Sequence, residues 1–121
     1  MGKILIVDDS NLIRSVASEA AKEAGHEPIL ATNGEEGLEV LKGGEKIDLI
    51  FSDVNMPVMG GLEMVENIKQ DDALKFIPIV MLTTESNPDL KAKGKELGVK
   101  AWMLKPFNKD KFFTAVKKLI G

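Results

Sequence analysis

The chain has 121 residues, 44% of them hydrophobic, with a formal net charge of −3 and no cysteine. That length supports one domain around one core, and the lack of cysteine excludes a disulfide framework and thiol chemistry. The charge balance gives no reason to expect nucleic acid, no apolar run is long enough for a membrane span, and no secretory leader is visible, so a soluble cytoplasmic protein is expected.

The elements follow one another in a regular alternation. Ile4 to Val7 is an uninterrupted apolar run, the mark of a strand buried on both faces. Ser10 or Asn11 can then cap a helix whose apolar positions, Ile13, Val16, Ala17, Ala20 and Ala21, keep helical spacing up to a stop at Gly25. Pro28 to Ala31 predicts a short strand near a sheet edge, because proline cannot donate to a ladder. Asn33 is placed to cap a second helix that ends at Gly43-Gly44, and Leu49 to Ser52 forms the third strand. A helix over Leu62 to Gln70, a buried strand over Ile79 to Leu82 and a helix over Asp89 to Leu97 come next. Gly94 is expected to weaken that last helix and keep it soft. Lys100 to Leu104 gives a fifth strand. Asp110 to Ile120 gives a closing helix capped by Asn108, with Phe112, Phe113, Val116, Leu119 and Ile120 facing inward. Five strands alternating with five helices predict an α/β domain, residues 1–121, with a parallel sheet covered on both faces. Output is expected to pass through a partner docked on its surface.

In such a sheet the C-terminal tips of the strands share one edge, where ligands bind. Here the tips carry Asp8-Asp9, Asp53, Thr83-Thr84 and Lys105. Alone, Asp8 or Asp9 could cap the first helix, Thr83 could be an ordinary strand residue and Lys105 a surface lysine. Together they describe a site. Two like charges about 4 Å apart cost roughly 1 to 4 kcal/mol, depending on the local dielectric, so three gathered carboxylates call for a cation. An oxygen-only set without histidine or cysteine suits Mg²⁺ rather than zinc. His26, the only histidine, falls between the first helix and the second strand and is expected at the surface, away from the site. Charge is also unevenly spread: Pro88 to Lys118 holds nine lysines against three acids, a net +6, and the remainder carries −9.

The stretches "ILIVDDS", "DLIFSDVNMPVMGG", "PIVMLTTE" and "AWMLKPF" together resemble the receiver domains of two-component response regulators, most of all the single-domain chemotaxis type. The resemblance covers essentially the whole chain. It implies a doubly wound, flavodoxin-like sheet of order 2-1-3-4-5. It further implies that Asp53 accepts a phosphoryl group from a sensor histidine kinase or a small acyl phosphate. Asp9 and Asp53 would hold Mg²⁺ directly, Asp8 mainly through water, and the Asn55 main-chain carbonyl would complete the protein's ligands. Lys105, in a cis bond to Pro106, and the Thr83 hydroxyl would contact the phosphoryl group. Asn55 and Glu85, each two places beyond a key residue, would tune its lifetime.

In the family the fourth helix, fifth strand and fifth helix form the output surface. Lys91, Lys95 and Lys100 there, around Trp102, suggest an acidic peptide or helix as partner, such as the flagellar motor switch. Trp102 departs from the usual Tyr or Phe, and its N–H can donate but not accept a hydrogen bond. The domain is expected to be a monomer, without nucleic-acid or membrane partners, and to self-dephosphorylate slowly without turning over external substrates. The alternatives are a phosphorelay carrier or phosphate sink and, from another class, a phosphatase using Asp53 as nucleophile. Phosphatases of the haloacid-dehalogenase type need an acid/base two residues after the nucleophile, where this chain has Asn55. A flavin carrier on the same fold would need a phosphate-binding first loop, and Asp8-Asp9-Ser10 would instead repel phosphate.

Overall fold

In the computed structural model, which describes residues 2–121, the apolar runs become strands and the amphipathic stretches become helices. In chain order these are β1 (Lys3–Val7), α1 (Asn11–Glu23), β2 (Glu27–Ala31), α2 (Gly34–Lys42) and β3 (Leu49–Ser52). They are followed by α3 (Gly61–Lys69), β4 (Ile79–Thr83), α4 (Pro88–Glu96), β5 (Ala101–Leu104) and α5 (Lys109–Ile120). The strands form one parallel sheet in the order β2-β1-β3-β4-β5, the predicted doubly wound topology. No helix among the described residues is long and apolar enough to cross a membrane.

Strand burial follows position in that order. β3 and β4 are buried along their whole length and β1 everywhere except Lys3, while the edge strands β2 and β5 are largely half-exposed. The two faces of the sheet carry separate cores. On one, Ile4, Ile6, Leu49 and Phe51 pack against Ala17, Ala20 and Ala21 of α1 and Phe112 and Val116 of α5. The alanines let α1 lie close to the sheet, and Phe51 stacks on Phe112 with ring centroids 4.4 Å apart. On the other, Leu5, Val7, Ile50 and Ile79 meet Leu38 and Leu41 of α2 and Met64, Val65 and Ile68 of α3. Burying each such side chain contributes about 1.5 to 3 kcal/mol of transfer free energy.

Several boundaries differ from the sequence expectation for identifiable reasons. α4 begins at Pro88, capped by the Asn87 side chain, because a proline in the first turn gives up an N–H that has no helical partner. β4 runs one residue further, to Thr83, whose β-branched side chain suits a strand. β5 begins at Ala101 rather than Lys100, and α3 at Gly61 rather than Leu62. Ser10, rather than Asn11, Asp8 or Asp9, caps α1, accepting from the Ile13 N–H at 3.2 Å. Asn33 and Asn108 cap α2 and α5 as predicted. Of the five α5 residues expected to face inward, Phe112 and Val116 are fully buried and Phe113, Leu119 and Ile120 half-buried.

Candidate functional site

Parallel pairing in register brings the strand tips level. Val7 lies opposite Ser52, Ser52 opposite Met81 and Thr83 opposite Leu104. Ladder bonds run on beyond the strand ends: the main-chain N–H groups of Asp8, Asp53 and Lys105 donate to Ala31, Val7 and Thr83 at 2.9–3.0 Å. Asp8 and Asp53 are therefore set by main chain that cannot shift without breaking the sheet. Asp8 and Asp53 are buried, 2% and 7% exposed, while Asp9 is open to solvent. One oxygen from each of the three lies within 4.8 Å of the others.

The Lys105 ammonium sits between two of them, 3.0 Å from both Asp8 Oδ2 and Asp53 Oδ2. The remaining oxygens are also engaged: Ser10 N–H donates to Asp8 Oδ1 at 2.9 Å and Val54 N–H to Asp53 Oδ1 at 2.7 Å. Burial pushes the Asp8 carboxyl above its ordinary pKa, against the pull of the Ser10 N–H and Lys105. Burial also works against charge on Lys105, but its hydrogen bonds to Asp53 and Asp8 prevail and hold its pKa above the usual value. The Lys105-Pro106 bond is cis, as expected.

Gly61 supports this floor. A Cβ there would lie 2.0 Å from the Asp53 carbonyl oxygen, so only glycine lets the start of α3 pass so close beneath the Asp53 main chain. In the loop between them, Met59 N–H donates to the Pro57 carbonyl at 2.8 Å around Val58, whose φ is +69°. That is a γ-turn with a β-branched residue in the left-handed region, a strained combination.

A second set of contacts leads away from the acids through Glu85. The Thr83 hydroxyl, fully buried, accepts from Glu85 N–H at 3.1 Å. The Asn55 side-chain amide donates to Glu85 Oε1 at 3.1 Å, which with neighbouring backbone N–H groups holds the Glu85 carboxyl below its usual pKa. The Trp102 indole N–H donates to the Glu85 carbonyl at 2.8 Å. Asn55 and Glu85, named separately from the sequence, are hydrogen-bonded partners, and Trp102 is joined to the same residue.

Gly94 has a packing role in addition to the expected effect on its helix. It is the one buried residue of α4, and a Cβ on it would stand 3.0 Å from the indole Cζ3. Its glycine makes room for Trp102 as well as lowering helix propensity. Lys91, Lys95 and Lys100 line a groove of about 350 Å³ whose wall includes Trp102. His26 is half-buried rather than a free surface residue. Its Nδ1 accepts from Gly2 N–H at 2.8 Å at the opposite edge of the sheet, far from the acids. Sequence reasoning passed over Arg14, the chain's only arginine, whose Nη1 donates to the Asp8 carbonyl at 2.6 Å.

Comparison with known proteins agrees with this architecture. The response regulator receiver domain family matches residues 4–117. The chain is 32% identical over 120 residues to the chemotaxis protein CheY1 of Helicobacter pylori, covering 98% of this chain and 97% of that one. It is 33% identical to part of the sensor histidine kinase CheAY of the same species, covering 97% of this chain and 15% of that protein. Among solved structures, chemotaxis protein CheY4 of Vibrio cholerae superimposes with a TM-score of 0.91 at 41% identity, covering 99% of both chains.

Proposed function

The chain belongs to the response regulator receiver domain family, and we propose that it is a cytoplasmic chemotaxis regulator phosphorylated on Asp53 by a sensor histidine kinase. The observation that carries this reading is the convergence of Asp8, Asp9 and Asp53 at one sheet edge, with Lys105 bridging two of them. The all-oxygen donor set fits Mg²⁺. Asp9, Asp53 and the Asn55 carbonyl would hold the ion directly, with Asp8 acting through water. When bound, Mg²⁺ offsets the acceptor's charge, so that an anionic phosphoryl group can approach.

The rest of the work falls to the chain itself. An Asp53 carboxylate oxygen forms the new bond to phosphorus. The phosphorus–nitrogen bond of the donor phosphohistidine breaks, and its electron pair returns to the imidazole. Lys105 exchanges its Asp53 contact for a phosphoryl oxygen, which suits a compact, mobile charge. The Thr83 hydroxyl, whose oxygen accepts from Glu85 N–H, keeps its proton free to donate to the same group. Phosphorylation brings the site to about two negative charges, and the differing contacts of Thr83 and Lys105 in the two states shift the population. The change reaches Trp102 through Glu85. The lysine-lined groove then takes up an acidic peptide or helix of the output partner, such as the flagellar motor switch.

The domain signals rather than turns over substrate: at the place where a phosphatase would need a proton-transfer acid, Asn55 is instead bonded to Glu85. The match to part of a sensor kinase supports a second reading, in which this domain returns or drains phosphoryl groups within a relay. Incubation with acetyl phosphate and Mg²⁺, followed by intact-mass measurement at neutral pH, tests the first reading. One phosphoryl group is expected on the native chain and none on Asp53→Asn. Incorporation that survives Asp53→Asn would remove Asp53 from the mechanism. Transfer of label back to a kinase histidine, faster than its loss to water, would favour the relay.

A further inference from the structure

The three carboxylates at the sheet edge are held in different ways. Asp8 and Asp53 are buried, and both have their oxygens bonded to main-chain N–H groups and to Lys105. Asp9 is exposed, and its carboxylate has no hydrogen bond or ion pair among the described residues. Its direction therefore depends on its main chain, beginning with the peptide that joins it to Asp8. That peptide's carbonyl, Asp8 C=O, accepts from Arg14 Nη1 at 2.6 Å. Arg14 Nη2 donates to the Asn11 side-chain oxygen in the first turn of α1, so the guanidinium spans the tight β1–α1 connection from both sides. Arg14 is itself half-buried, and its own N–H is tied to the Ser10 carbonyl at 3.1 Å. A planar, two-pronged donor, held on one prong by Asn11 three residues before it, grips the Asp8–Asp9 peptide with the other and limits how far that peptide can rotate.

We infer that Arg14 is a positioning residue for the metal site, aiming the Asp9 carboxylate at the cation by fixing the Asp8–Asp9 peptide. The inference rests on reading the acid cluster as a divalent-cation site. The sign of the effect separates it from a simple charge effect. A positive guanidinium near a cation site opposes binding, so by charge alone its removal strengthens Mg²⁺ binding. As a positioning residue, its removal weakens binding, because groups that orient metal ligands typically account for about tenfold or more in affinity. Arg14→Lys keeps the charge and loses the fork, which isolates the geometry.

The test is calorimetric titration of the native chain, Arg14→Lys, Arg14→Gln and Asp9→Asn with MgCl₂, with thermal melts of each in the absence of metal. Both Arg14 variants are expected to bind Mg²⁺ about tenfold more weakly, with metal-free melting close to native. Unchanged affinity in Arg14→Lys, with equal or tighter binding in Arg14→Gln, overturns the inference and leaves the cation site intact. If Arg14→Gln fails to fold, Arg14→Lys decides alone. Absence of Mg²⁺ binding by the native chain, matched by Asp9→Asn, would sink the cation reading and this inference with it.

Discussion

The acid cleft and the α4–β5 flank stand on the same sheet but are built to opposite specifications. The cleft rests on β1, β3 and β4, almost wholly buried and continued by ladder bonds up to the acids themselves. The flank rests on an edge strand with no fully buried residue and on a helix that buries only Gly94. Gathered like charges have to be held by structure that cannot relax, or they would move apart. A surface that changes with the state of the site needs the reverse: few buried contacts, and hence a low cost of rearrangement. Glu85 joins the two regions, touching Thr83 and Asn55 on one side and Trp102 on the other.

The sharpest way to break this contrast is to cut each region's anchoring. Phe51→Ala removes a ring stacked on Phe112 beneath the cleft and is expected to destabilise by about 3 to 5 kcal/mol. Leu90→Ala, at a half-buried position on the largely exposed α4, is expected to cost under about 1 kcal/mol. Urea denaturation of the pair decides; equal losses would mean that the flank is anchored as firmly as the cleft.

The two supporting glycines give a smaller contrast. Gly61→Ala drives a Cβ into the Asp53 carbonyl and is expected to cost about 2 kcal/mol or more in the same urea titrations. Gly94→Ala brings a Cβ to 3.0 Å from the Trp102 indole edge, a side-chain rather than a main-chain neighbour, and gains about 1 kcal/mol of helix propensity. Its stability should stay within about 1 kcal/mol of native while the tryptophan emission shifts. Unchanged emission would mean that Trp102 does not depend on the room Gly94 leaves.

Charge burial in the cleft should also show in the pH dependence of the metal-free protein. Burial raises the Asp8 pKa above 3.8, so between that value and the raised one the folded state binds more protons than the unfolded. Asp8's own contribution to stability therefore rises as pH falls from neutral through its folded pKa, against the loss from Glu85, whose carboxyl is held below its usual value. Asp8→Asn should flatten that rise, and an equally steep rise in the variant would place the effect on another group. The smallest effect is expected at Val58. Val58→Gly relieves the strained γ-turn and should stabilise by about 0.5 to 1 kcal/mol, read as a higher midpoint in the same urea titrations.

Much of this fold was legible because the signals are local. Uninterrupted β-branched apolar runs of strand length, bounded by turn residues, point to strands inside a sheet covered on both faces. Asn33 and Asn108 cap their helices through bonds to N–H groups three residues away. The gathering of Asp8, Asp53, Thr83 and Lys105 followed from topology, since parallel strands must present their C-terminal ends together. What was missed depends on where side chains reach from one loop, helix or strand to the loops at the strand tips. Sequence spacing does not bring the Asn55 amide to Glu85, the Trp102 indole to the Glu85 carbonyl, or the Arg14 guanidinium to the Asp8 carbonyl. Two of these three bonds end on main-chain oxygen, which every residue carries and no motif marks. By itself the sequence determined which side chains could do chemistry and at which edge they would meet, because periodicity and strand polarity are properties of the chain. Only the tertiary structure decided how each carboxylate is held and how the site is tied to Trp102, because those bonds depend on where the four loops after β1, β3, β4 and β5 come to rest.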